Sequence, residues 1–177
     1  MRVLNERPNA IILLVGNDSP IVSYGKNRED GRGWLSFLKE KYKKELDWSR
    51  IINLGTITHQ QLRIVYQVTS AHVYLTYPFV LSWSLLEAMS CGALVICSNT
   101  SPVKEVVRHG ENGILVDFND HEMLSKQIID ALESPNKYHG LRLSARKSIV
   151  ENYCLEQCIK KQIKLVESFA VTAAEES

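Results

Sequence analysis

The sequence predicts an α/β protein: a Rossmann-like parallel sheet of about five strands with helices on both faces. Three observations carry that prediction. Apolar runs recur at Ala10–Gly16, Arg50–Gly55, His72–Pro78, Leu94–Asn99 and Gly113–Phe118. Each is nearly continuous rather than alternating, as in strands buried on both faces. Amphipathic stretches of helical period fill the intervals, at Gly33–Glu45, His59–Thr69, Ser84–Cys91, Val103–Arg108 and His121–Glu133, and two more follow at Lys137–Asn152 and Leu155–Phe169. Finally, His72 to Asn99 fits a strand, a helix and a strand into about 26 residues, the length of a parallel right-handed crossover.

The elements can be justified in order. The first strand ends at Gly16-Asn17-Asp18 and runs into Asn17 to Arg32, a polar, charge-rich segment. Loops that long are uncommon unless they are mobile or functional, and both readings stand: plain mobility, or a role over a ligand. After the second strand, Thr58-x-x-Gln61 reads as a capping box opening the next helix. The third run, Val73 to Tyr77, stops at Pro78, and Ser82 and Ser84 open a helix that ends at Gly92. Ser101 followed by Pro102 reads as a cap with proline at the first helical position. Gly110 and Gly113 suit the turn before the last strand, and Asn119-x-x-Glu122 resembles another capping box. One domain over residues 1–169 follows, with 170–177 a frayed tail.

Composition narrows the class. The chain has 177 residues, a net charge of +1 and 45% hydrophobic residues, which excludes a disordered segment and gives no sign of a nucleic-acid binder. No basic patch interleaved with aromatic residues appears. No apolar run reaches the roughly 18 residues that span a bilayer, and the first ten residues do not read as a signal peptide, so a cytoplasmic protein is expected. Cys91, Cys97, Cys154 and Cys158 form no metal-ligand spacing and read as reduced packing residues.

In open parallel sheets ligands bind beyond the carboxyl ends of the strands. Three such ends are candidates: Gly16-Asn17, Gly55-Thr56-Ile57, and the loop before the helix at Ser84. Glycines at 16 and 55 admit close approach of a flat ligand to the backbone. Ser82, Trp83 and Ser84 can offer amides and two hydroxyls to a phosphate, each anionic charge being worth about 0.3–1 kcal/mol at a helix N-terminus. Glu87, one turn in, can accept both hydroxyls of a ribose. The plainer readings stand beside these: Ser84-x-x-Glu87 is itself a capping box, the glycines are ordinary turn residues, and Trp83 suits a core as well as a ligand platform.

A resemblance adds to this. LLEAMSCG, LVICSN and KEVVRHGENGILVDF follow, in order and spacing, the donor-binding half of family 4 glycosyltransferases of the GT-B fold. Upstream, IILLVGND and IINLGTITHQQLRIVYQVTSAHVYLTYP are similar to the preceding strands and helix of that half. The similarity runs from about Arg7 to Ser134, roughly three quarters of the chain. The segment YPFVLSWSLLEAMSCG with Ser23-Tyr24-Gly25 resembles a bacterial subgroup most. The resemblance implies a donor site in which Glu87 holds the ribose, and Ser82, Trp83, Ser84 and Leu85 hold the diphosphate. It places Thr56 and Ile57 beside the base, and Gly16 and Asn17 facing the nucleotide. It also implies transfer of a sugar from a UDP- or GDP-sugar with retention, without a metal or other cofactor, in cell-surface polysaccharide synthesis.

Two departures qualify it. The family motif pairs a first glutamate with a second eight positions later, and here Phe79 stands at the first. The resemblance also implies a missing N-terminal acceptor domain, supplied in cis or in trans. It further implies a preceding strand, lying between the first and third strands of this chain, together with the basic pair that neutralises the diphosphate. Without these the chain is expected to be catalytically incomplete, to bind nucleotide near the millimolar range, and to form a homodimer through exposed sheet edges or to repack. The full-length enzyme is expected to be peripheral to the inner membrane. Two rivals remain: a non-catalytic nucleotide-binding or partner module, and a GT-B sugar-nucleotide epimerase. The epimerase should carry paired acids and a histidine at its pocket, where this sequence offers Asp18 and Glu87.

Overall fold

The computed structural model describes residues 2–21, 26–77 and 80–175, those from 170 onward by backbone alone. Ser23-Tyr24-Gly25, Pro78 and Phe79 lie outside the described residues. The chain divides into two compact units, residues 1–64 and 65–177.

The first unit contains helix α1 (Arg2–Glu6), strand β1 (Ile12–Leu14), helix α2 (Trp34–Lys41), a 3-10 turn at Trp48–Arg50, strand β2 (Ile51–Asn53) and the start of helix α3 (His59–Val68). β1 and β2 pair in parallel, Ile12 opposite Ile51 and Leu14 opposite Asn53. Arg50 ties the turn before β2 to the end of α1: its guanidinium donates to the carbonyls of Leu4 (2.9 Å), Arg7 and Pro8 (3.0 Å each), and its Nε to Asp47 (2.9 Å). A cation at the C-terminal end of a helix satisfies carbonyls that have no partner within it. Thr58 and Gln61 form the expected capping box, the Gln61 amide donating to the Thr58 hydroxyl (3.2 Å) and the Thr58 amide to Gln61 Oε1 (2.9 Å).

The described limb of the long loop is anchored. Asp30 accepts from Arg28 and Arg32, which hold its carboxyl well below the usual range. Arg28 in turn lies 3.5 Å from the centroid of the Phe37 ring on α2, a cation–π contact. Upstream, Asp18 accepts from the Leu35 and Ser36 amides (2.9 Å each), capping α2 across the loop. Gly33 permits this, since a Cβ there would lie 2.0 Å from Asp18 Oδ1.

The second unit continues with strand β3 (His72–Tyr74), helix α4 (Trp83–Ser90), strand β4 (Val95–Ser98), helix α5 (Ser101–Lys104) and strand β5 (Ile114–Val116). Helices α6 (His121–Glu133), α7 (His139–Asn152) and α8 (Leu155–Glu175) follow, the last extending beyond the end read at Phe169. β3, β4 and β5 form a parallel sheet in that order, His72 opposite Val95 and Ile96 opposite Ile114. All four residues of β4 are buried, so both faces of the central strand are covered, as its unbroken apolar sequence requires. Leu94, Ile96, Ile114, Val116, Ala131 and Tyr138 form a core under α6 and the start of α7.

All five strands therefore exist and pair in parallel, but their ladder comes in two pieces. Among the described residues no ladder joins β1 to β3, the place where the resemblance puts a further strand. Two helix starts also differ from the sequence reading. α5 begins at Ser101 after Thr100, with Pro102 in its first turn. The cap of α6 is Asp120, accepting from the Met123 amide at 2.8 Å, rather than Asn119 with Glu122.

Polar side chains lock the second unit's joints. Asn112, 4% exposed, accepts from the Arg108 amide (2.7 Å) and donates to the Val106 carbonyl (3.0 Å) and the Ser148 hydroxyl (3.2 Å). It thereby clasps the turn before β5 onto α7. Next to it a Cβ on Gly113 would lie 2.7 Å from both Val107 Cγ1 and Val95 Cγ2, so only glycine fits. From α7, Arg142 donates to the Ser70 carbonyl (2.6 Å) past the end of α3, and Arg146 donates to that of Ser90 at the end of α4. Among the described residues no helix is long and apolar enough to cross a membrane.

Candidate functional site

The corner between β3 and α4 is fixed by hydroxyls. Ser98, fully buried at the end of β4, donates to the Thr76 carbonyl (2.9 Å) and accepts from the Thr76 amide (3.0 Å), which prolongs the β3–β4 ladder. Ser82 is the N-cap of α4, extended at φ −81°, ψ 142°. Ser82 Oγ accepts from the Ser84 amide at 3.3 Å and shares a 3.0 Å hydrogen bond with Ser84 Oγ. The cap is thus Ser82, and the Ser84–Glu87 capping box that the sequence left open is not the one formed.

This geometry corrects the expectation that Ser82, Trp83 and Ser84 all offer free amides. The Ser82 amide donates to the Tyr74 hydroxyl at 3.0 Å, and the Ser84 amide is taken by the cap. The Leu85 side chain is fully buried, and its amide donates to the Ser82 carbonyl at 3.2 Å. Trp83 keeps an amide with no hydrogen-bond partner among the described residues. Its indole is 80% exposed, so it is not a core residue.

Glu87 stands half-buried one turn into α4. Tyr66, near the end of α3, lies within electrostatic reach of its carboxylate. Burial first, then the negative charge of Glu87, pushes the Tyr66 phenol up to about 12. The Tyr66 ring meets His72 of β3 edge to face, centroids 5.2 Å apart, and burial lowers the affinity of that imidazole for a proton. At the rim, Tyr77 stacks on Phe118 just past β5, centroids 4.4 Å apart.

The first unit supplies the other predicted residues. The Gly16 amide donates to the Gly55 carbonyl at 2.9 Å, joining the two turns that follow β1 and β2. Gly16 has φ 135° and Gly55 φ 63°, with open space where a Cβ would stand. Backbone conformation rather than crowding calls for glycine at both. Asn17 and Thr56 are exposed and Ile57 is half-buried. The structure thus brings Gly16 and Asn17 next to Gly55 to Ile57 within one unit, and Ser82 to Ser84 together with Glu87 within the other. Asp18, the second acid that an epimerase pocket would need, is spent on capping α2. Sequence reasoning missed Tyr74, which reads as one more apolar strand residue; its hydroxyl contact depends on the path of the loop.

Parallel strands whose carboxyl ends carry a capped helix start and glycine turns define a Rossmann-like α/β half of the kind found in two-domain transferases. Residues 1–148 match the model of the family described as glycosyl transferases group 1, and the chain belongs to that family. It is 35% identical over 136 residues to the O-antigen chain mannosyltransferase B of Escherichia coli, covering 75% of this chain and 34% of that protein. In fold it is similar to Anabaena HepE, solved in complex with UDP-glucose, at TM-score 0.79 and 18% identity, over 94% of this chain and 43% of that one. It is also similar to the C-terminal domain of the group 1 glycosyl transferase LpcC of Francisella tularensis, at TM-score 0.71 and 19% identity, over 86% of this chain and 74% of that one. The chain spans about a third of the length of the mannosyltransferase.

Proposed function

We propose that this chain is the nucleotide-sugar-binding half of a retaining glycosyltransferase, which acts only together with an acceptor domain supplied in cis or in trans. The observation that carries the reading is the start of α4, in a chain whose family membership runs through it: Ser82 caps the helix, its hydroxyl and that of Ser84 share a hydrogen bond, the Trp83 amide has no partner among the described residues, and Glu87 follows one turn later. A diphosphate seated there gains from the helix dipole and from hydroxyl donors, and the carboxylate accepts the two ribose hydroxyls. The same donors stabilise the departing diphosphate as charge builds on it during sugar transfer, work done without a metal. The resemblance assigns Gly16, Asn17, Gly55, Thr56 and Ile57 of the first unit to the nucleoside.

The donor is a UDP- or GDP-sugar. Similarity to a mannosyltransferase supports a hexosyl group. Exposed apolar surface supports the need for a further segment: Ile12 and Leu13 of β1, with Ile11 and Val15 flanking it, are 36–60% exposed in a two-stranded parallel sheet, although parallel strands are normally covered. A strand from a preceding segment, or from a second copy of the chain, covers that surface; sedimentation of the 177-residue chain as a monomer rules out the second copy. The test of the function is an NMR titration with UDP, GDP and ADP. Shifts at residues 16–17, 55–57, 82–84 and 87 are expected with UDP or GDP at about millimolar affinity, near −4 kcal/mol. No response to any nucleotide at roughly ten times that concentration refutes it.

A further inference from the structure

We propose that Tyr74 is a positioning residue of the nucleotide site: its hydroxyl holds the Ser82 amide and so sets the cap from which the Trp83 amide points outward. The proposal rests on the reading of the α4 start as the diphosphate site. Tyr74 lies on β3, in register with Cys97 of fully buried β4, so its backbone is fixed by the central ladder. Its hydroxyl accepts from the Ser82 amide at 3.0 Å, spanning eight residues of chain. Thr76 and Ser82 are thus each tied to the sheet, Thr76 by Ser98 and Ser82 by Tyr74. Removing the second tie leaves the Ser82 cap hydrogen bonds in place but lets the cap shift relative to the sheet. An anion site built from one amide and the hydroxyl proton that the Ser82–Ser84 pair leaves over loses affinity when its donors stop converging.

The phenol also settles which amide serves the ligand. If Ser82 gave its amide to a phosphate, Tyr74 Oη would lose its donor on binding. In the arrangement observed, Tyr74 keeps Ser82 occupied and leaves Trp83 for the anion.

Tyr74→Phe keeps the ring and removes only the hydroxyl, so it tests position rather than packing. The expected result is about three- to tenfold weaker binding of whichever of UDP or GDP the parent chain binds, with the thermal midpoint of the free protein lowered by no more than about 2–4 °C, the shift that the loss of one net hydrogen bond produces in a chain this size. Equal affinity in parent and variant overturns the proposal, as does a lowered midpoint with unchanged affinity of the folded fraction, which marks a purely structural bond. Failure of the parent chain to bind any nucleotide is a different result and overturns the functional reading itself. A second measurement needs no variant. In the parent at saturating nucleotide, the Trp83 amide should show the largest downfield shift in this segment, and the Ser82 amide, held by the Tyr74 hydroxyl, a clearly smaller one. The reverse pattern, with Ser82 moving and Trp83 unaffected, overturns the proposal.

Discussion

Replacing Asn112 with alanine should destabilise the second unit by about 2–4 kcal/mol, and the number follows from the clasp it makes. Its side chain accepts one hydrogen bond and donates two, at 2.7, 3.0 and 3.2 Å, from a position 4% exposed. A net hydrogen bond is worth roughly 1 kcal/mol, and a buried group left without a partner costs about 1–3 kcal/mol. Alanine strands the Arg108 amide and the Val106 carbonyl, while the Ser148 hydroxyl keeps its bond to the Ser144 carbonyl at 2.8 Å. Two stranded backbone groups therefore dominate the estimate. For a chain of this size, 2–4 kcal/mol corresponds to roughly 5–15 °C in the thermal midpoint. The assay is differential scanning calorimetry on parent, Asn112→Ala, Asn112→Asp and Ser148→Ala. Asn112→Asp keeps the acceptor for Arg108 but sets a carboxylate oxygen against the Val106 carbonyl, so it should be at least as damaging as alanine. Ser148→Ala should cost no more than about 1 kcal/mol, one hydrogen bond's worth. A midpoint within 2 °C of the parent for Asn112→Ala would refute the clasp, because the turn would then be held by β5 alone.

Three further outcomes follow from the same structure. Gly113→Ala places a methyl 2.7 Å from Val107 and Val95 and should cost about 1–3 kcal/mol by overpacking, read in urea unfolding. An unchanged urea midpoint would mean the strand shifts freely. Burial lowers the His72 pKa below its ordinary 6.5, so its contribution to stability is complete above pH 6.5 and declines as pH falls through the depressed folded value. The thermal midpoint of the parent should therefore fall relative to that of His72→Phe between pH 7.5 and 5, and parallel curves would contradict this. Cys97 is fully buried, with its thiol pushed up to about 12, so in the native protein it should resist a thiol reagent that labels the half-buried Cys91, Cys154 and Cys158. Labelling of all four at one rate, read by mass spectrometry, would show that the sheet opens readily.

Much of the fold was legible because two signals are local. Continuous apolar runs mark strands covered on both faces, and β4, buried along its whole length, is the clearest case. The Thr58–Gln61 box was readable because both partners lie within four residues of sequence. What escaped was set by tertiary geometry. Asn119 and Asp120 are both good caps, and only the path of the chain out of β5 decides for Asp120. Likewise, Ser82 and Ser84 compete for the start of α4, and the tie from Tyr74 to the Ser82 amide belongs to the arrangement in which Ser82 wins. The resemblance assigns Leu85 its role by position, and the full burial of its side chain is set by packing. Asp18 looked like a pocket acid, and nothing in its immediate sequence reveals that it caps a helix 17 residues away. The glycines at 110 and 113 were correctly read as turn residues, but the reason for the second, two valine methyl groups in its way, is a packing fact.

The central claim is that a nucleoside diphosphate sits over the start of α4 with its ribose on Glu87. A crystal of the chain soaked with UDP or GDP tests it most directly. The account predicts phosphate oxygens within hydrogen-bond distance of the Trp83 amide and the Ser84 hydroxyl, and the ribose diol on the Glu87 carboxylate. Density for the nucleotide elsewhere, with that corner still closed by the protein's own groups, would contradict it.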